Sequence, residues 1–347
     1  PLGISFFTFQ QIAFLVDSYY GKIHQVHFPP YMAFVSFFPQ LIAGPIVQYQ
    51  EMQPQLNRLG HGPFDRGNLA SGLTVFAIGL FKKVVIADAL ALRATPVFEL
   101  AEGGGNLGFF AAWGGAFAFS LQLYFDFSGY SDMAVGLARM FGLRLPANFH
   151  SPYKAASIID FWRRWHITLS RFLRDYIYIP LGGNRGGQRR KYANIMITML
   201  LGGLWHGAGW TFVFWGGLHG IFLLVNHAWR RIQPRPVNAW WSVGLARITT
   251  FVSVTVAWVF FRAETFRGAK VVLEGMVNLP RTMEAHLGAA AVWMKAVGIR
   301  FQAPAVTLQN ELDVVWLGVW LALLWIVPNT QEIMEEPYKA IETYSGF

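Results

Sequence analysis

Apolar residues along this chain fall into long runs separated by glycine, proline and short charged loops. Eight stretches stand out, at 2–20, 31–47, 69–92, 107–124, 193–205, 211–229, 240–261 and 314–327. A bilayer core needs about 20 mostly apolar residues per helix. The pattern therefore predicts an all-α integral membrane protein, a multi-helix bundle with several crossings. The shorter stretches are expected to be re-entrant or covered by neighbouring helices, because irregular backbone survives at membrane depth only inside protein. Pro29-Pro30, Pro39, Gly44-Pro45, Gly103-Gly104-Gly105 and Gly182-Gly183 mark the breaks. No fixed-period repeat is present, and no matching pair of broken helices points to a secondary transporter.

The middle of the chain departs from this pattern. Between Phe141 and Tyr192 it is too polar to span. Pro146 and Pro152 bracket a loop carrying Asn148 and His150. Ser157 then caps a predicted helix running to about Tyr176. Its apolar residues Phe161, Trp165, Leu169, Phe172 and Tyr176 make one stripe at helical spacing. Asp160, Arg163, Arg164, Arg171, Arg174 and Asp175 occupy its other faces. Charges facing lipid are expensive, so this helix is expected at the interface or folded into the protein. A shorter amphipathic helix is predicted near 269–277, in an extramembrane excursion before the last span.

Composition sharpens the picture. Apolar residues make up 54% of the 347, before 35 glycines are counted, whereas charged residues are only 14%. Soluble domains reach about 45–50% apolar with glycine included. The formal charge is +9, and Lys/Arg gather in short loops: Arg185, Arg189, Arg190 and Lys191 in one, Arg230, Arg231 and Arg235 in another. Such loops read as cytoplasmic anchors, and Trp and Tyr near the span ends as an interfacial belt. With no soluble basic domain, nucleic acid is not an expected partner. The absence of cysteine excludes disulfides, Cys-ligated zinc and a Cys acyl-enzyme. The chain begins at Pro1 inside an apolar run, so it reads as one transmembrane unit, 1–347, trimmed at both ends.

The candidate chemistry lies in the histidines. His24, His27, His61, His227 and His286 sit near span ends or loops, where His is simply polar. His206 follows an apolar run within Gly202-Gly203-Leu204-Trp205-His206-Gly207-Ala208-Gly209. An ionisable side chain at that depth is a functional candidate, and desolvation favours its neutral, proton-accepting form. The flanking glycines would let backbone bend and substrate approach. A structural imidazole bonded to a nearby carbonyl fits the pattern equally. His166, next to Trp165 on the charged helix, is read as a second polar group of one chamber or as a surface His. His219 lies thirteen residues beyond His206, roughly 20 Å along a continuous helix, too far to cooperate directly. Asp126 and Asp132, at the end of a span, face a polar tunnel or pair with Lys82, Lys83 or an arginine, and pairing is the better fit. There is no G-x-S-x-G, no His with Asp five positions on, no Walker A loop and no H-E-x-x-H. No metal is expected.

Several of these runs together resemble the membrane-bound O-acyltransferase family, and in particular its bacterial alginate O-acetyltransferase branch. They include PLGISFFTF at 1–9, DFSGYSD at 126–132, NF at 148–149, PY at 152–153, DFWRRWH at 160–166, LRDYIYIPLGG at 173–183, GLWHG at 203–207 and WVFFRA at 258–263. The resemblance implies a helical bundle around a central tunnel with interfacial and re-entrant pieces. His206 matches the family's catalytic histidine and His166 its second functional position. Asp126, Asp132, Asn148, Trp165, Trp205, Arg163 and Arg164 become candidates to line the tunnel. The resemblance also implies an acyl thioester as substrate rather than a bound cofactor, either acetyl-CoA or the phosphopantetheine of an acyl carrier protein. The implied partners are SGNH-type periplasmic acetyltransferases, the cytoplasmic donor and membrane lipid, in a bacterial inner membrane. D-Alanyl transfer to a cell-wall polymer, a transporter without covalent chemistry and a structural membrane subunit are the competing readings.

Overall fold

Two long helical segments lying against each other form the framework to which the other elements attach. The coordinates are a computed structural model and describe residues 3–59, 65–233, 239–280, 289–297, 300–302 and 311–334. The first segment begins at Asp65, whose carboxylate accepts hydrogen bonds from the amides of Gly67 and Asn68, satisfying donors that a helix start leaves open. It runs as α4 (Arg66–Phe81), widens into a π-helical turn over Lys82–Ala87, and continues as α5 (Asp88–Glu102). The second segment is α6 (Phe109–Met140). Glycine sets how closely α4 and α6 approach. A methyl at Gly72 would lie 2.6 Å from the carbonyl oxygen of Gly136, and one at Gly79 2.5 Å from that of Gly129. Small residues bring membrane helices together in this way, because packing rather than water drives their association.

A hairpin of α9 (Gly187–His206) and α10 (Trp210–Ile232) repeats the device. Side chains at Gly203 or Gly216 would overlap the backbone carbonyls of Phe212 and Met199. Along α10, exposed Trp210 and Trp229 stand about 28 Å apart at about 1.5 Å of rise per residue. That separation matches the hydrocarbon core, with an aromatic ring at each edge. α10 and α11 (Trp240–Arg262) are the two described helices long and apolar enough to cross a membrane. α12 (Phe266–Val277), capped by the Thr265 hydroxyl, packs back on α5 and α6, where Trp113 Nε1 donates to the Met276 carbonyl at 3.0 Å.

The structure departs from the sequence pattern in several places. The run at 31–47 is not one span. α1 (Ile4–Tyr19) is followed by α2 (Phe28–Ser36), a 3₁₀ turn over Phe38–Gln40 and non-helical backbone up to α3 (Tyr49–Leu56). Pro39 and Pro45 supply no amide proton there. The stretch at 69–92 runs from α4 through the π-helical turn into α5, and that at 107–124 falls in α6 from Phe109 onward. The predicted helix from Ser157 to Tyr176 breaks into α7 (Ile158–Arg164), α8 (Ile167–Leu173) and a π-helical turn over Arg174–Tyr178. The late excursion contributes a pair of short parallel strands, β1 (Asn278–Pro280) and β2 (Arg300–Gln302), with α13 (Ala289–Ala296) between them. α14 (Glu311–Ile326) follows, with Trp316 stacked on the Arg93 guanidinium at 3.9 Å. His61, Arg235 and His286 lie outside the described residues.

Candidate functional site

The break between α7 and α8 falls at His166. Its backbone is left-handed (φ 43°, ψ 54°), a conformation that costs energy in a non-glycine residue and persists only where its surroundings enforce it. Asn148 enforces it. Its backbone carbonyl accepts from the Ile167 amide at 2.9 Å. Its side-chain oxygen accepts from the Thr168 amide at 3.3 Å and the Thr168 hydroxyl at 2.9 Å, while its Nδ2 donates to Ser131 Oγ at 3.3 Å. The same oxygen lies 3.1 Å from His166 Nδ1. An oxygen already accepting from two donors takes a third donor in that contact, so Nδ1 carries the proton and Nε2 the lone pair. Nε2 is buried and has no hydrogen-bond partner among the described residues. A nitrogen in that state accepts a hydrogen bond; it cannot donate one to an oxyanion.

Aromatic rings wall this imidazole. Phe127 meets it edge-on at 4.7 Å between centroids, and Phe6, Phe149 and Trp205 lie within 6.3–6.4 Å. Trp205 joins the two histidines of interest, because its ring is also 4.8 Å from that of His206. His206 is the last residue of α9 and is half-buried, between Trp215 and Phe261, each at 5.1 Å. The backbone does bend among the neighbouring glycines, at residues 207–209, and two of them have a packing task as well. Gly203 brings α9 onto α10, and a side chain at Gly207 would strike the Phe212 ring.

Other candidates fall elsewhere. Lys82 holds Asp132 at 2.6 Å, and Thr330 donates to the same carboxylate at 2.7 Å. Lys83 pairs with Asp126 at 2.7 Å and with Asp88 at 2.8 Å. Both aspartates thus pair with the lysines of the π-helical turn, as the better-fitting reading expected. On α6, Phe127 and Ser131 reach the site from another face. Arg164 pairs with Asp160 at 2.9 Å, and Arg163 is exposed and makes no ion pair among the described residues. The Arg164 guanidinium lies 3.4 Å from Nδ1 of His150, away from His166 and His206. Trp165 is buried beneath the site, stacked on Phe161 and 5.0 Å from Trp258. Sequence reasoning missed Phe6, Phe127, Ser131, Thr168 and Trp215. Phe127 and Ser131, four residues apart, carried a signal as one face of a helix otherwise notable for its aspartates.

The helix between His206 and His219 is not continuous, since the chain turns back at residues 207–209. The two imidazoles still do not stack, because the Trp215 ring contacts both, at 5.1 Å and 4.9 Å. The hairpin also brings the two basic loops to one end of the molecule. Lys191 Nζ lies 3.4 Å from His227 Nδ1, with Arg230 and Arg231 on the last turn of α10. Burial first, and then the Arg231 charge, lower the proton affinity of Lys191. Among the described residues no three His, Asp or Glu side chains gather as metal ligands would.

Comparison with known proteins gives a consistent set of relatives. A family model described as the membrane-bound O-acyltransferase family matches residues 4–263. A peptidoglycan O-acetyltransferase of Helicobacter pylori is 48% identical over 318 residues, covering 84% of this chain and 59% of that protein. A probable alginate O-acetylase of Pseudomonas aeruginosa is 46% identical over 280 residues, covering 80% and 52%. A teichoic acid D-alanyltransferase of Streptococcus thermophilus is 27% identical over 284 residues, covering 75% and 68%. The chain thus spans a little over half the length of the first two.

Proposed function

We propose that this chain, which belongs to the membrane-bound O-acyltransferase family, moves an acetyl group from a thioester donor to a hydroxyl of an exopolysaccharide such as alginate. The observation that carries the reading is the joining of two imidazoles through one indole: His166, with an unpaired Nε2, and half-buried His206 both contact Trp205. In the proposed step, His206 takes the proton of the acceptor hydroxyl as its oxygen attacks the thioester carbonyl carbon. The carbon–sulfur bond breaks, and the departing thiolate takes the proton back from the imidazolium. General-base help of this kind is typically worth about 10²–10⁴-fold. His166 orients a reactant by accepting a hydrogen bond at Nε2. A lone pair at Nε2 suits orienting the acceptor hydroxyl or holding the donor arm, and does not suit donating to an oxyanion.

The donor, acetyl-CoA or a phosphopantetheine-bearing acyl carrier protein, approaches from the basic end of the α9–α10 hairpin, which the positive-inside rule assigns to the cytoplasm. A tunnel past His206 carries the acetyl group outward in the bacterial inner membrane, where SGNH-type periplasmic partners place it on the polymer. Residues 1–347 act as one unit of that machine. The names of the relatives favour a second polymer, peptidoglycan, alongside alginate. D-Alanyl transfer draws support from the more distant relative. The test uses the full-length protein with a labelled acetyl thioester: His206→Ala should fold and insert normally but leave the donor uncleaved and the polymer without acetate. Normal polymer acetylation by that variant would overturn the reading, and the identity of the acetylated polymer separates alginate from peptidoglycan.

A further inference from the structure

A second group of rings lies beside His206, on the side toward the basic end of the hairpin. Trp162 of α7 and Trp215 and His219 of α10 are mutual neighbours, with centroids 6.0, 5.2 and 4.9 Å apart. They are 3%, 1% and 0% exposed. Trp162 Nε1, Trp215 Nε1 and both ring nitrogens of His219 are buried without a hydrogen-bond partner among the described residues. The rings that complete the box cannot help. Phe161 and Phe222 have no polar atom, and Trp258 Nε1 already donates to the Tyr153 hydroxyl at 3.2 Å.

The hydrogen-bonding inventory of this box is specific. Each indole offers one donor, and a neutral imidazole offers one donor and one acceptor. Buried atoms of this kind are normally paired, and leaving them open is costly. A secondary amide matches what is open: its oxygen accepts from two donors, and its N–H donates to an imidazole nitrogen. The location adds a second constraint. Trp215 touches His206 on one side of the box. On the other side α10 continues through Leu223 to His227, where Lys191, Arg230 and Arg231 gather.

We propose that Trp162, Trp215 and His219 form a binding subsite for a secondary amide of the acyl donor's arm, which sets the thioester carbonyl against His206. The proposal rests on the thioester-transfer reading above, since a pantetheine arm carries such amides. His219→Phe keeps a ring in the box and removes both nitrogens. It should be compared with wild type, in the full-length purified protein, on two donors: S-acetylpantetheine, which has amides, and S-butyl thioacetate, which has none.

The expected result is a rise in KM for acetylpantetheine of about 10- to 100-fold, larger than any fall in kcat. The preference for acetylpantetheine over the amide-free donor should shrink by a similar factor. His219→Gln, which retains a donor and an acceptor, should restore part of that preference. Trp162→Phe should shift it in the same direction by a few-fold, and it supplies the answer if His219→Phe does not fold. Equal losses on both donors, or no loss on either, would show that the box holds only water or packing and would overturn the proposal. If wild type cleaves neither thioester, the transfer reading itself fails and takes this subsite with it.

Discussion

The polar groups along α4 and α6 and those around the histidines are buried to similar depths yet treated in opposite ways. Lys82, Asp132 and Thr330 saturate one another within 2.5–2.7 Å. Elsewhere, Nε2 of His166, Nε1 of Trp205 and of Trp215, and both ring nitrogens of His219 have no hydrogen-bond partner among the described residues. A charge inside a membrane protein has to be neutralised where it stands, so its partners are part of the fold. A neutral ring nitrogen is cheaper to leave open, so the fold can keep it for a ligand. On the proposed reading, the paired charges serve the architecture and the open ring nitrogens beside His206 serve the reactants.

Substitutions can break that contrast, and the largest effect is expected at His206. His206→Ala should reduce acetyl transfer by about 10²–10⁴-fold while the unfolding midpoint of the purified protein stays near wild type. Asp132→Ala should do the reverse. It strands the Lys82 ammonium, at a cost of about 3–5 kcal/mol read as lost thermal stability, and Lys82→Met added to it should recover much of the loss. Asn148→Ala stands between the two classes. Removing the carbonyl that holds His166 and Thr168 should cost about 1–3 kcal/mol of stability and also reduce turnover, because the left-handed turn at His166 then relaxes. The smallest effect is expected at Asp126. Its pair with Lys83 is exposed at 44% and 41% of the two side chains, and exposed pairs contribute about 0–1 kcal/mol. A catalytic defect in Asp126→Asn larger than its change in stability would put that carboxylate back in the site.

Much of this arrangement was visible in the amino-acid order, and the parts that were not share a cause. Apolar periodicity located the helices of the α9–α10 hairpin, α11 and α14, since a span is a local property of about 20 residues. It overran at 31–47, where Pro39 and Pro45 interrupt the ladder of amide donors. His166 and His206 were singled out by residue type and setting, but the break that positions His166 was not. The stripe from Phe161 to Tyr176 fits a continuous helix perfectly well. Asn148 and His150, many residues earlier, bond the two sides of the kink, and a bond made at that separation leaves no trace in local spacing. The packing role of Gly203 was invisible for the same reason, because its partner lies on the returning helix. His219 was set aside on the assumption of one straight helix, and the turn at 207–209 removes that assumption without letting the imidazoles meet.

The bond between Thr330 and Asp132 also has a consequence in time. α4 and α6 are synthesised before Thr330, and Lys82 can meet Asp132 as soon as the two helices pack together. The hydroxyl that completes the trio is translated 198 residues after that carboxylate. Until it emerges, the nascent bundle must hold its central ion pair one ligand short, so the final locking of the early helices waits for a late piece of the same polypeptide.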